Sequence, residues 1–323
     1  MIWNKFNQQQ QEKHRYNKRK PKKCLICSNT QHNNNTKYKG TTQEYRNQEF
    51  EYARCVKCNS INKLTPIKLD YNKYAKGKRI FKQRQTRFMK YIKKNNIYAY
   101  NNILDYGCGS GIFLKQLMKE EMLEIDGYEP YNKEYNKLKN KKYQFIYLIH
   151  VLEHIKDYKR FFKDLNKITN QGSEIITIHP SSTRIKELNN KDIYQKHTIH
   201  APMHECIPSD KAVIDMFEMN GFELKKLTPY DVQRSGLIQN NNVTALLLSK
   251  FDGIREHLIN ASNKERLNAY LMHPIKFVKN ALINTKDKNV STMVFERKWP
   301  KKRQFVIIAK KRLIQIKKVQ YKI

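Results

Sequence analysis

Apolar positions alternate along the chain between short runs typical of strands and longer stretches with helical spacing, beginning near residue 101. Such alternation, interrupted by polar and glycine-containing turns, predicts an α/β domain. The predicted strands cover residues 101–106, 123–128, 143–149, 173–178, 221–228 and 303–309. The predicted helices cover residues 111–120, 131–141, 156–168 and 209–220. Aromatic and apolar residues between 71 and 94 predict a further helix that leads into this domain.

The same patterning divides the chain into regions. Residues 1–22 are polar and basic, and we expect a disordered leader there. Residues 23–66 contain too few apolar side chains to bury a core unaided. We expect the α/β domain to extend over residues 67–311, with a helical insertion at about 231–300, and a basic tail over residues 312–323.

The segment Asp105–Gly111 contains three of the ten glycines in this glycine-poor chain. It lies between a predicted strand and a predicted helix, where the backbone can approach a ligand closely. Glu129 ends the next predicted strand, where a carboxylate can accept hydrogen bonds from ribose hydroxyls. A dinucleotide site would require glycine at Ile112, and the carboxylate of Asp105 would repel a pyrophosphate. The pattern therefore favours a cationic cofactor.

The Asp-x-Gly-x-Gly-x-Gly pattern resembles the first motif of the class I S-adenosylmethionine-dependent methyltransferases. The resemblance implies a Rossmann-like sheet and S-adenosylmethionine as cofactor, with His150 as a further cofactor-side candidate. The implied cofactor-binding residues are Asp105, Gly107, Gly109, Gly111 and Glu129. The family has a third strand beside the adenine, but here almost no chain separates residues 131–141 from residues 143–149. Either the sheet lacks that strand and has an open adenine pocket, or cofactor affinity has been lost.

Two Cys-x-x-Cys pairs, Cys24 with Cys27 and Cys55 with Cys58, are separated by residues 28–54. Four thiolates can hold one Zn²⁺ tetrahedrally, and such a filled coordination shell makes the metal structural. A redox pair or unliganded thiols are the alternatives. The cysteine module and the glycine motif together resemble the zinc-ribbon methyltransferases that include the sugar C-methyltransferases, over roughly residues 24–228.

The segment from His150 to His154 follows the fourth predicted strand and has two interpretations. As His-x-x-Glu-His it matches a zinc-peptidase pattern, which requires one helix carrying both histidines. His150 ends an apolar strand, which disfavours that interpretation. In the resembling sugar enzymes, the histidine that corresponds to His154 faces the active site. A purely structural role for Glu153 and His154 in the strand-to-helix turn is the alternative.

Three histidines, His197, His200 and His204, precede the helix predicted to begin near residue 209. In the resembling family a histidine at this place is the general base, which implies that role for His204. The sugar enzymes have a glutamate immediately before that histidine, where this chain has Met203. The sugar-specific chemistry is therefore less firmly implied than the fold.

A metal site is a second interpretation of the same histidines. Glu153, His154 and one of the three histidines would chelate magnesium or manganese, as in the small-RNA 3′-end 2′-O-methyltransferases. His150 stands where those enzymes have a further glutamate, which is a departure from their pattern.

The formal net charge of +35 is usually typical of proteins that contact nucleic acid or anionic membranes. Here lysine, asparagine, isoleucine and tyrosine are abundant while glycine is scarce, a composition typical of an A+T-rich coding sequence. The positive charge alone therefore does not establish nucleic acid as a partner, and nucleic acid stays a candidate. No apolar run is long enough to span a membrane and the N-terminus lacks an apolar signal region, so we expect a cytoplasmic protein without a membrane partner.

These patterns predict an S-adenosylmethionine-dependent methyltransferase with a structural zinc. The expected acceptor is a small molecule, and the resemblance favours a nucleotide-linked sugar. The candidate catalytic residues are His154, His204 and Glu153. The alternatives are an RNA methyltransferase and a degenerate methyltransferase fold that only binds nucleic acid.

Overall fold

The computed structural model describes residues 23–67, 69, 102–111, 113–115, 118, 125–229, 271 and 290–298. The predicted leader, the helix at 71–94, most of the insertion, the strand at 303–309 and the basic tail lie outside these residues. The strands are β1 (His32–Lys39), β2 (Glu49–Cys55), β3 (Ile61–Lys63), β4 (Ile103–Tyr106), β5 (Ile125–Tyr128), β6 (Tyr143–Ile149), β7 (Thr169–Pro180), β8 (Cys206–Ile207), β9 (Phe222–Thr228) and β10 (Val290–Arg297). The helices are α1 (Tyr158–Lys167), α2 (Ile193–Ile199) and α3 (Asp210–Met219), with 3₁₀ turns at Gln43–Tyr45, Leu152–His154 and Ser182–Arg184.

The larger sheet has the strand order β5-β4-β6-β7-β10-β9 among the described residues. Strands β4 to β7 pair in parallel, whereas β10 is antiparallel to both β7 and β9. This is the Rossmann-like class I methyltransferase sheet, in which one antiparallel strand, here β10, lies between the last two parallel strands, β7 and β9. Residues 129–142, which connect β5 to β6 along the chain, form no strand. The sheet therefore lacks the third strand of the class I pattern.

The predicted helix over residues 131–141 is wrong, because this segment forms turns. The Asn132 side chain accepts a hydrogen bond from the Glu134 backbone N–H and donates one to the Gly109 carbonyl. These side-chain bonds compete with helical bonding. Asp126 then ties the segment to the sheet through ion pairs with Lys139 and Lys141.

The last described strand, β10, was not predicted from the sequence. Strand β10 lies within residues assigned to the helical insertion, and it forms seven residue pairs with β7 from Val290 to Glu296. Its residues Val290 to Phe295 are all buried between its two neighbours. The insertion therefore ends before residue 290 and not near residue 300.

Helices α1 and α3 cover one face of this sheet. Phe161 and Phe162 of α1 and Phe217 of α3 are buried there, and the Phe217 ring stacks on Phe295 of β10 at 4.1 Å. Both helices begin at side-chain caps, since Asp157 accepts from the Arg160 N–H and Ser209 from the Ala212 N–H. Buried on both faces, β6 is almost entirely apolar.

The smaller sheet has the order β1-β2-β3-β8 and is antiparallel throughout. Strand β8 is a two-residue strand from the α/β part of the chain, about 140 positions from β3. The core of this sheet contains Tyr38, Phe50 and Tyr52 together with Ile199 and Met203 from the later segment. The cysteine-containing region thus completes its core with residues that belong to the larger domain.

Candidate functional site

The glycine loop connects β4 to the helical residues 113–115, and the Lys115 N–H donates to the Gly111 carbonyl at their start. Gly107 has a φ of +84°, and a Cβ there would lie 2.4 Å from a methyl carbon of Val151. Gly109 has a φ of +57°, but a Cβ there would meet nothing within 4 Å. Gly107 is therefore required for packing against the segment after β6, whereas Gly109 faces open space in which a ligand can lie against the backbone.

Two carboxylates border this open space. Asp105 is the penultimate residue of β4, in register with Gly127 of β5, and it is only 3% exposed. Burial raises the pKa of Asp105 to about 7, and the nearby charge of Glu129 adds to the effect. The Glu129 carboxylate accepts hydrogen bonds from the Gly109 and Tyr131 N–H groups at 3.3 and 3.2 Å. Burial also raises the pKa of Glu129.

These two carboxylates and the open space at Gly109 fit S-adenosylmethionine. A buried carboxylate at Asp105 is complementary to a cationic ammonium, and Glu129 lies at the strand end where a ribose hydroxyl can be bound. The adenine side differs from the predicted family pattern, since turns occupy the place of the third strand. Tyr131, 56% exposed, follows Glu129 on that side.

The segment after β6 turns sharply into the site. His150 has a φ of +55°, its backbone N–H donates to the Ile178 carbonyl of β7, and its Nδ1 lies 3.3 Å from a carboxylate oxygen of Glu153. Glu153 and His154 belong to the 3₁₀ turn, and Glu153 is fully buried. Because His150 directly follows strand β6 and His154 lies in a separate 3₁₀ turn, the pair does not form the helical face that a zinc peptidase requires.

The structure brings His154 and His204 together. Their ring centroids lie 5.0 Å apart, and His204 Nε2 is 3.9 Å from a carboxylate oxygen of Glu153. The potential ligand atoms of these three residues all lie within 4.8 Å of one another. His200 stacks edge-on against His204 at 5.2 Å, whereas His197 belongs to α2 and is not a member of the cluster.

Backbone carbonyls determine how the two imidazoles are protonated when neutral. His154 Nδ1 lies 3.0 Å from the Met203 carbonyl oxygen, and His204 Nδ1 lies 2.8 Å from the Thr198 carbonyl oxygen. A carbonyl oxygen only accepts, so each Nδ1 donates and the neutral ring carries its lone pair on Nε2. Two such nitrogens beside a buried carboxylate can accept an acceptor proton or ligate a cation.

The glycine loop and the cluster of Glu153, His154 and His204 are connected by one segment. Val151, which limits the space at Gly107, lies between His150 and the 3₁₀ turn that carries Glu153 and His154. Both parts of the site therefore lie at the carboxyl edge of the parallel strands, where ligands of open α/β sheets bind.

The four cysteines converge in the smaller sheet. The Sγ atoms of Cys24 and Cys58 lie 3.5 Å apart, as do those of Cys27 and Cys55, and all four lie within 4.8 Å of one another. Tetrahedral zinc with sulfur ligands at about 2.3 Å requires comparable separations, so the residues fit the metal. The Asn62 amide donates a hydrogen bond to Cys24 Sγ, and the pKa of Cys24 is lowered to about 4, chiefly by the adjacent Cys58 sulfur.

The segment of residues 200–205, which joins α2 to β8, is called the histidine loop. Several residues that support it carry no recognisable signal in the sequence. They come from the cysteine module and from the loop itself, and they are Thr41, Tyr52, Lys63 and Glu205. Each is an ordinary residue in its local sequence, and only the pairing of β3 with β8 brings the two groups together. No periodicity or spacing could have found contacts across about 140 positions.

In the part of the chain that the structure describes, no helix is long and apolar enough to cross a membrane. A search of curated proteins found no significant match to this sequence. Among solved structures, a coclaurine N-methyltransferase bound to N-methylheliamine and S-adenosylhomocysteine shares 14% identity, with a TM-score of 0.40, over 66% of this chain and 70% of that chain. The cyclopropane synthase MmaA2 from Mycobacterium tuberculosis shares 16% identity, with a TM-score of 0.39, over 65% of this chain and 84% of that chain.

Residues 71–227, just under half of the chain, match a family model described as a methyltransferase domain. The match contains the glycine loop, both strand-end carboxylates and the histidine cluster. The sheet has the strand order of the class I enzymes without their third strand. Over this range the chain thus matches a methyltransferase domain, and its larger sheet is of the Rossmann-like class I type.

Proposed function

We propose that this chain transfers a methyl group from S-adenosylmethionine to a small-molecule acceptor bound beside Glu153, His154 and His204. The observation that carries the proposal is the convergence of these three residues on the segment that contacts the cofactor loop. The resemblance to sugar C-methyltransferases favours a nucleotide-linked sugar as the acceptor.

The chain's own residues would hold the cofactor at the glycine loop. Asp105 would pair with the ammonium group, and Glu129 would exchange its bonds to the Gly109 and Tyr131 N–H groups for bonds to the ribose. The bound cofactor supplies an electrophilic methyl group on a sulfonium. Methyl transfer is an in-line displacement, so the protein must position the acceptor and remove at most one proton.

His204 is the proposed base. Its Nδ1–H is anchored on the Thr198 carbonyl, so Nε2 would take the acceptor proton. Glu153 lies 3.9 Å from this nitrogen and is fully buried, so its negative charge would stabilise the imidazolium that forms. His154, held on the Met203 carbonyl, would orient the acceptor.

We further propose that Cys24, Cys27, Cys55 and Cys58 hold one structural zinc. The sulfur separations and the N–H donors around Cys24 support this assignment. With four thiolates the metal has no open position, so it takes no part in the chemistry.

Cofactor binding is the first test, measured by calorimetry on the full chain. S-adenosylmethionine should bind, and Gly109→Arg should abolish binding by filling the open space against the backbone. Gly172→Arg is the matched control and should keep cofactor binding, since Gly172 also has a positive φ and open space around its Cβ but lies in β7, outside the glycine loop. If the wild-type protein does not bind at millimolar cofactor, the proposed enzyme function is wrong. The alternative, a degenerate methyltransferase fold that only binds nucleic acid, would then take its place.

The acceptor is tested by transfer of a labelled methyl group to pools of nucleotide sugars and other small molecules. Transfer to a small acceptor should vary little between low and physiological salt. Transfer only to a polyanion held by lysines would instead fall steeply with salt and contradict the small-molecule assignment.

A second candidate function is metal-assisted methylation of an RNA terminus. The specific observation is that both imidazoles donate Nδ1–H to backbone carbonyls, as metal-ligating histidines usually do. Two imidazoles and one carboxylate suit Mn²⁺ better than Mg²⁺. Protein depleted of loosely bound metal should then methylate RNA only after Mn²⁺ is added. Full activity on a small acceptor without added metal would favour the base mechanism.

A further inference from the structure

We infer that the four-cysteine centre positions the acceptor side of the active site through β3, with Tyr52 and Lys63 as positioning residues for His204. The inference rests on the proposed function for the catalytic meaning of His204, but the contacts that carry it are independent of the acceptor. The loop concerned is the histidine loop, residues 200–205, which follows the end of α2 at Ile199.

Strand β3 has contacts on both sides. Asn62 faces the cysteines, because its amide donates to Cys24 Sγ at 3.4 Å and its carbonyl accepts from the Leu25 N–H at 3.0 Å. Lys63, the next residue, faces the histidine loop and donates through Nζ to the Pro202 carbonyl at 2.8 Å. The position of β3 therefore depends on the cysteine centre, and the position of the loop depends on β3.

The ion pair of Lys63 with Glu205 fixes the end of the loop. The Lys63 Nζ lies 2.9 Å from a Glu205 carboxylate oxygen, and the side chains are 1% and 6% exposed. The backbone adds two bonds, since the Lys63 N–H donates to the Glu205 carbonyl and the Glu205 N–H donates to the Glu153 carbonyl. A buried ammonium keeps its charge only when it is paired, so this contact specifies one arrangement of the loop.

Tyr52 and Thr41 hold the loop at two further points. The Tyr52 hydroxyl donates to the His204 carbonyl at 2.9 Å in the buried core of the smaller sheet. Thr41 contacts His200 through its hydroxyl at 2.6 Å from Nδ1, and its backbone N–H donates to the Ala201 carbonyl. The cysteine module thus contacts the loop at its beginning, middle and end.

The consequence for catalysis follows from the sensitivity of proton transfer to position. A displacement of about 1 Å in a catalytic group can lower the rate by about 100-fold. Loss of the cysteine centre or of the Tyr52 hydroxyl should therefore change turnover without changing the affinity for cofactor, because the glycine loop contacts neither of them in the described residues.

Tyr52→Phe tests the inference against a matched control, Tyr38→Phe. Both remove one hydroxyl from the same buried core, where the two rings contact each other edge-on at 5.9 Å, but the Tyr38 hydroxyl donates to Gln195 and not to His204. Tyr52→Phe should lower kcat about three- to tenfold with an unchanged cofactor Kd and zinc content. Tyr38→Phe should leave kcat near the wild-type value.

Histidine NMR supplies a readout that needs no activity. The His204 imidazole signals, assigned by their loss in His204→Gln, should move in Tyr52→Phe and stay in place in Tyr38→Phe. They should also move when Cys58→Ser removes the metal. Unmoved His204 signals in both Tyr52→Phe and Cys58→Ser would overturn the inference, whereas absence of any methyl transfer by the wild type would overturn only the proposed function.

Lys63→Met alone leaves the buried Glu205 carboxylate with only the half-exposed Lys156, at 3.5 Å, as a charged partner and can prevent folding. The double variant Lys63→Met/Glu205→Gln removes both charges and keeps the side-chain volumes. It should fold, bind cofactor with wild-type affinity and show displaced His204 signals with a reduced kcat. A folded double variant with wild-type kcat and unmoved His204 signals would contradict the role of Lys63.

Discussion

The proposed cofactor side and the proposed acceptor side of the candidate site are assembled in different ways. The cofactor side lies within residues 105–135, where a strand, a glycine loop and the turn after Glu129 contact one another directly. The acceptor side combines residues 150–154, residues 200–205 and side chains of the cysteine module. The first is a local motif, and the second exists only when β8, which follows the histidine loop, pairs with β3 of the cysteine module. We therefore expect damage to the cysteine module to affect the acceptor side alone.

Loss of the proposed zinc should have the largest effect. Cys55→Ser should eliminate bound zinc and destabilise the smaller sheet, since structural zinc sites contribute about 10–16 kcal/mol in small zinc-binding peptides. Metal analysis and calorimetry should show no zinc but retained S-adenosylmethionine binding. Cys108→Ser, in the glycine loop, is the control and should keep its zinc. Full zinc content in the Cys24→Ser/Cys55→Ser double variant would disprove the site.

Removal of the proposed base should have the next largest effect. His204→Ala should lower kcat by about 10²–10⁴ without changing the cofactor Kd, because general-base catalysis contributes a factor of this size. Steady-state kinetics and calorimetry measure the two quantities. His197→Ala, outside the cluster in α2, should stay near wild type. Wild-type turnover in His204→Ala would remove the catalytic role from this residue.

The glycine loop should show a smaller effect that depends on position. Gly107→Ala should lower the free energy of unfolding by about 2–4 kcal/mol, because its φ is positive and its Cβ would clash with Val151. Gly109→Ala should lose only about 1 kcal/mol, since its Cβ meets open space. Urea unfolding measures both. Equal losses would show that the loop does not pack on the segment after β6.

The pH dependence of cofactor binding should show the smallest effect. The pKa of Asp105 is raised to about 7 by burial and by Glu129, and pairing with the ammonium requires the ionised form. S-adenosylmethionine should therefore bind about tenfold more weakly at pH 6 than at pH 8. Calorimetry with Asp105→Asn should show weaker binding without this dependence. The same dependence in the variant would assign it to another group.

The same shift predicts the sign of a stability effect in the cofactor-free protein. Because the pKa of Asp105 is higher in the folded chain than its ordinary value, the folded state binds the proton more tightly. The stability contributed by this group is therefore fully present below about pH 4 and is lost as the pH rises towards 7. Asp105→Asn should lack this loss when urea unfolding is compared across that range.

The elements that were predicted well have strong local patterns. Strand β6 was predicted with its observed bounds, since a continuous apolar run indicates a strand buried on both faces. Helices α1 and α3 begin at capping residues that are visible in the sequence, Asp157 and Ser209. The turns at 131–141 and the strand β10 were missed, because hydrogen bonds of Asn132 and pairing with β7 decided them.

The sequence by itself determined the class of the protein, because the backbone of a cofactor loop must be encoded in adjacent residues. Asp105, three glycines and Glu129 specify that loop through positive φ angles and through strand ends that carry carboxylates. The convergence of Cys24, Cys27, Cys55 and Cys58 was likewise encoded in paired spacings, while the metal that they hold stays a prediction.

Only the tertiary structure decided what surrounds His204. Strand β8 has two residues, too few for any pattern, yet its pairing with β3 places Lys63 against Glu205 and Tyr52 against the His204 carbonyl. These partners are far apart in the sequence, so no local pattern indicates their contacts. The contacts exist only in the folded arrangement of the two sheets. The orientation of the proposed base is therefore a property of the assembled fold.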